Sequence, residues 1–102
     1  MKPKDLRTLV EACFYITYAG SDLSSSIGTT LRAASGGILL LPQFTNSSYL
    51  LPRTFAATVW GVSAFERITH ALTTPNKEEF ILGCAEAGLS LANYLLAKAD
   101  YN

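Results

Sequence analysis

The stretch ILLLPQFTNSSYLLPRTF, residues 38–55, decides how the chain is put together. It carries Leu-Leu-Pro twice, at Leu40-Leu41-Pro42 and Leu50-Leu51-Pro52, around a polar patch, Thr45-Asn46-Ser47-Ser48. No charged residue occurs from Ala33 to Pro52. Proline pushes the residue before it out of the α region, so Leu41 and Leu51 are expected in extended or turn conformations. The stretch is therefore expected to be a long hydrophobic linker, residues 37–52, with at most a helical turn near residues 47–51. Its apolar groups, Leu40, Leu41, Phe44, Tyr49, Leu50 and Leu51, must still be hidden. Either the linker caps the core of the fold, or it offers a contact surface to another chain or to acyl tails.

Helices are expected on both sides of it. Residues 3–19 form an amphipathic pattern. Leu6, Leu9, Val10, Cys13, Ile16 and Thr17 share one face, taken as the buried one, and Lys4, Arg7, Thr8, Glu11 and Tyr15 share the other. Gly20 is expected to end this helix. Ser21 or Asp22 caps a second helix, with Leu23, Ile27, Leu31 and Ala34 as its buried stripe and Gly36-Gly37 as its stop. Its Ser and Thr content makes it the weakest of the set by propensity. A third helix starts near Pro52, which a first turn tolerates, and runs to about residue 72. Ala57, Gly61 and Ala64 give it a small-residue stripe, and charge enters only at Glu66, Arg67 and His70.

Thr73-Thr74-Pro75-Asn76 breaks the chain, and Glu78 and Glu79 then suit the positive end of a fourth helix that reaches about residue 99. Here Glu79, Glu86, Ser90 and Asn93 make a narrow polar stripe, expected to face water. In lipid, Glu86 would instead mark a functional site. Cys84, Gly88 and Ala92, spaced by four, make a small-residue stripe that lets a neighbouring helix, of this chain or a partner, approach closely. Glycine inside a helix costs up to ~1 kcal/mol against alanine, so close packing must offset Gly61, Gly83 and Gly88.

The result is one all-α domain, residues 1–102, of about four helices. Hydrophobic residues make up 49% of the chain and charged residues 16%, below the roughly 25% of soluble chains, so a partner chain or lipid must cover part of the surface. Mean hydropathy is +0.23. Eight basic residues balance eight acidic ones and are scattered, which argues against nucleic acid. The two cysteines, Cys13 and Cys84, are far apart and are expected as small buried hydrophobes.

No metal or cofactor motif is present, and His70 pairs most simply with Glu66 one turn earlier. The N-terminal segment is interrupted by Asp5 and Glu11, so no secretory signal is expected and the Asn46 sequon carries no weight. That leaves a cytoplasmic or organelle-membrane location. Residues 80–97 give eighteen positions bracketed by charge, at the lower edge of a membrane span.

The expected function is non-catalytic: an accessory subunit or adaptor, without cofactor, that packs against other protein chains in a hetero-complex or homo-oligomer, with a membrane-associated complex as one setting. The alternative is a free-standing soluble helical effector, inhibitor or immunity-type binder. The interaction residues expected are Leu40, Leu41, Phe44, Tyr49, Leu50, Leu51, Gly61, Cys84, Gly88 and Ala92.

Overall fold

A computed structural model describes residues 3–21, 26–45 and 47–99. It contains α1 (Pro3–Ser21), α2 (Ser26–Thr45), α3 (Leu50–Thr73) and α4 (Lys77–Ala99), and no strand among the described residues. The chain is a small all-α bundle that runs up, down, up and down. α3 packs most extensively on α4 and α1 on α2, while α2 meets α3 less closely. α1 comes near only α2 by its backbone.

Local chemistry explains the later ends. Asn76 Oδ1 accepts from the Glu79 N–H (3.2 Å), and the Phe80 N–H donates to Asn76 O (3.0 Å), so Asn76 caps α4 at the expected break. α3 begins at Leu50 rather than Pro52. Ser48 Oγ accepts from the Leu50 N–H (3.0 Å), and the Arg53 N–H reaches Tyr49 O (2.9 Å) to close the first turn. Pro52 sits within that turn, where its missing N–H costs nothing. The cap expected at Ser21 or Asp22 lies at or beyond the edge of the described residues, as does Leu23.

The expected linker is the main correction. Residues 37–45 are the second half of α2 and residues 50–52 open α3, so only residues 46–49 lie between the helices. Gly36 does not stop α2. A Cβ there would lie 2.8 Å from Ala12 O and 3.1 Å from Ile16 Cγ1, so α1 and α2 pack too tightly at this glycine for a side chain to fit without a shift. Pro42 lies inside the last turns of α2 and forfeits one helical hydrogen bond, to Ile38 O. Packing against α1 outweighs that loss.

The helix faces are the second correction. In α1 the buried residues are Thr8, Ala12, Tyr15 and Ala19, while Leu6, Val10, Cys13, Phe14, Ile16 and Thr17 are exposed. In α4 Glu86 and Asn93 are wholly buried, and Phe80, Ile81, Leu91 and Leu95 face outward. Leu31, assigned to the buried stripe of α2, is also exposed. Both cysteines are exposed free thiols, not core residues. The apolar core is correspondingly small. Tyr15, Leu39, Ala56 and Trp60 form it, with Tyr18 and Leu89 packed alongside. The Trp60 ring lies 5.2 Å from that of Tyr15 and 5.5 Å from that of Tyr18.

Candidate functional site

The distinctive feature of the interior is a polar network in two clusters, one on each side of Trp60. Its charged members are Glu11 on α1, Arg32 on α2, Arg53 and Arg67 on α3 and Glu86 on α4, and of these Arg32, Arg53 and Glu86 have no charged residue within six positions in the sequence.

The first cluster joins α1, α3 and α4. Arg53 is 0% exposed. Its Nη1 and Nη2 donate to the two carboxylate oxygens of Glu11 at 2.9 and 2.5 Å, a bidentate pair. Arg53 Nη1 also donates to Asn93 Oδ1 (2.8 Å). The Asn93 amide donates in turn to Tyr15 Oη and to Leu89 O, both at 2.8 Å. Arg7 stands 3.8 Å from Glu11 at the outer edge.

The second cluster centres on Glu86, also 0% exposed. Tyr18 Oη donates to it at 2.5 Å, Ser63 Oγ donates to its other oxygen, and Arg67 Nε lies 2.6 Å away. Arg32 Nη1 donates to Ser63 Oγ (2.8 Å), and Ser35 Oγ donates to Arg32 O (2.6 Å). All four helices therefore contribute to one buried set of bonds. Glu86 and Asn93 are not a water-facing stripe: burial of a carboxylate is tolerable only with such partners, and here it has them.

Near residues 46–49 a smaller latch ties the α2–α3 connection to α1. Tyr49 Oη donates to Asp5 Oδ1 (2.7 Å), and Gln43 Nε2 donates to Asp5 O (3.1 Å). Burial, and then the Asp5 carboxylate, raise the Tyr49 phenol from its ordinary 10.0.

The expected interaction residues fall into separate groups. Leu41, Phe44 and Leu51 are on the outside, Phe44 at 83% and Leu51 at 78% exposure. Leu40 is half-buried and Tyr49 is buried in the latch. Leu50 lines a groove between α3 and α4 together with Thr54, Ala57, Leu91 and Tyr94. Gly61 does mark a close approach: a Cβ there would lie 3.0 Å from Ser90 Oγ, which itself donates to Ala57 O (2.7 Å). Cys84, Gly88 and Ala92 lie on the exposed side of α4, and among the described residues nothing beyond the local backbone of α4 comes within 4 Å of a Cβ at Gly88. The tight α4 contact is at Gly83, whose Cβ would fall 2.7 Å from Ile68 Cγ1. His70 Nδ1 pairs with Glu79 Oε2 (2.5 Å) across the α3–α4 turn rather than with Glu66.

The sequence reading missed Arg32, Arg53, Ser63 and Asn93 as network members. The signal available was the isolation of each Arg within a long uncharged run. Among the described residues no group of three or more His, Cys, Asp or Glu could hold a metal ion. The chain matches no family model, no curated protein and no solved structure.

Proposed function

We propose that this chain is a non-catalytic structural subunit of a membrane-associated complex, with lipid and neighbouring protein chains covering its outer faces. The observation that carries the reading is the direction of its polarity. Glu86, in the middle of α4, is wholly buried, and Glu11, in the middle of α1, is half-buried against Arg53; Arg32 and Arg53, nearer the starts of α2 and α3, are buried as well. Exposed charges such as Arg7, Glu66, His70, Lys77, Glu78 and Lys98 lie within about two turns of a helix end. Between those ends the outward side chains are mostly apolar, with Phe65 72% exposed and Val10, Leu91 and Leu95 more than half exposed. In water this arrangement forfeits hydrophobic stabilisation at every such position. In an apolar medium it costs little.

Two further observations support it. Lys77–Ala99 is long and apolar enough to cross a membrane by length and composition, with a mean hydropathy of 1.4. Only 22% of that window is buried, so the helix does not derive its apolar character from serving as a soluble core. The exposed hydroxyls of Thr45, Thr54 and Thr58 donate to the carbonyls of Leu41, Leu50 and Thr54 in their own helices. That is how hydroxyls are satisfied where no water reaches them.

Alkaline carbonate extraction of native membranes tests the reading. The chain is expected to stay in the pellet and, after mild detergent, to migrate well above its own mass in size exclusion. Release as a soluble monomer would overturn it and favour the free-standing soluble binder.

A further inference from the structure

The two ends of the bundle differ in charge. Asp5 on α1 is bonded to Tyr49 and Gln43, and Leu50 shares a groove with Ala97 and Lys98. The starts of α1 and α3 therefore lie with the ends of α2 and α4. The His70–Glu79 pair marks the opposite end, where α3 turns into α4. Lys4, Arg7 and Lys98 belong to the first end, and Lys2 precedes it in sequence. At the second end Lys77 is the exposed basic residue among the described ones, beside Glu78 and Glu79. Asp5 and, after α4, Asp100 add acidic charge to the first end, but orientation in a membrane follows Lys and Arg rather than net charge.

The helices have the length a crossing needs. They hold 19, 20, 24 and 23 residues, about 28 to 36 Å at the helical rise, against about 30 Å of hydrocarbon. The long axis of the bundle, 45 Å, matches a bilayer with its head groups, roughly 40–45 Å. Among the described residues only Lys77–Ala99 is apolar enough to cross by its own composition. α1, α2 and α3 would cross as parts of the bundle, because Glu11, Arg32, Arg53 and Arg67 make bonds inside it. Short segments rich in Lys and Arg stay on the cytoplasmic side, where anionic lipids attract them. We propose that all four helices cross the bilayer and that the end holding Lys4, Arg7 and Lys98 sits against the anionic cytoplasmic leaflet, with the α3–α4 turn on the far side. This orientation rests on the membrane reading.

The test uses Ser47→Cys and Thr74→Cys, one at each end and both at exposed positions, in a full chain carrying Cys13→Ser and Cys84→Ser. A charged, impermeant maleimide is added to spheroplasts of a bacterial host whose inner membrane holds the chain. Thr74→Cys is expected to label in intact spheroplasts, and Ser47→Cys only after lysis. The reverse pattern overturns the proposal. So does labelling of both, or of neither, before lysis, since α3 then fails to cross. Recovery of the chain in the soluble fraction instead overturns the membrane reading itself. Lys2→Gln, Lys4→Gln and Lys98→Gln together are expected to lower labelling of Thr74→Cys from outside roughly twofold or more, and unchanged labelling overturns the role of these residues in orientation. In detergent micelles, added phosphatidylglycerol is expected to raise the Tm by about 4 °C or more over phosphatidylcholine, a gain that the triple Gln variant loses. Equal melting in the two lipids overturns the contact with anionic head groups.

Discussion

Arg53 Nη2 reaches Glu11 Oε2 at 2.5 Å although α1 and α3 do not approach each other by their backbones. The pair spans a gap that the helices leave open, and it fixes how the α1–α2 hairpin sits on the α3–α4 hairpin. Tyr18 bonded to Glu86 and Tyr15 bonded to Asn93 repeat the arrangement toward α4.

Removing one partner of a buried pair leaves the other without compensation. Arg53→Ala is therefore expected to destabilise the chain by ~3–5 kcal/mol, and Glu11→Leu with Arg53→Met together to cost far less, because no buried charge remains between them. Thermal melts of Glu11→Leu, of Arg53→Met and of the double variant close the cycle. Additive losses would show that the pair is not coupled.

The two glycines of α4 separate internal from external packing. Gly83→Leu drives a side chain into Ile68 and Arg67, with an expected loss of ~1–3 kcal/mol in the isolated chain. Gly88→Ala meets nothing within 4 Å and should raise the isolated chain's stability by up to ~1 kcal/mol through helix propensity. Gly88→Leu should leave the isolated fold intact while disrupting co-purification wherever a partner helix lies on that face. Equal destabilisation by Gly83→Leu and Gly88→Leu would contradict the outward placement of Gly88.

That outward placement shows which part of the fold was legible beforehand. The four helices were, since apolar spacing, Pro52, the break at residues 73–76 and the acidic pair Glu78 and Glu79 mark them, and the ends of α3 and α4 fall within two residues of expectation. Which side of α1 and α4 turns inward was not. A periodic apolar stripe gives an axis of asymmetry but not the medium around it, and the assignment of Leu6, Val10 and Ile16 to the inside assumed water outside. The linker was misplaced for a different reason. Gly36-Gly37 and Pro42 were weighed by local propensity, whereas Gly36 is needed for contact with Ala12 on another helix. The polar network was legible only as lone charges, because its partners are separated by up to 78 positions in sequence.

Both cysteines are exposed free thiols, yet on the proposed reading Cys84 faces lipid. N-ethylmaleimide, which crosses bilayers, is expected to label Cys84 in intact membranes. A charged, impermeant maleimide is expected to label it only after detergent extraction. Rapid labelling of Cys84 by the charged reagent in sealed membranes would place that face in water.

The Tyr49 latch has a pH signature. Its phenol is raised in the folded chain, so folding favours the protonated form. The contribution is whole below pH 10 and is lost as pH rises through the folded value, because the unfolded phenol releases its proton first. Stability should thus fall above pH 10, and Tyr49→Phe should flatten part of that fall. An unchanged alkaline profile in Tyr49→Phe would remove the latch as its source.

The buried network also imposes an order on how the molecule comes into being. Glu86 and Asn93 belong to α4, whereas their partners Tyr15, Tyr18, Arg53, Ser63 and Arg67 all precede it in the chain and emerge earlier. A nascent chain that has not yet reached residue 77 holds several donors whose acceptors do not exist. Until α4 arrives, the first three helices are a substrate for chaperones and quality-control proteases rather than a smaller version of the finished protein. A truncation before α4 should accordingly be cleared quickly in cells, and α4 supplied as a separate fragment should prolong its lifetime.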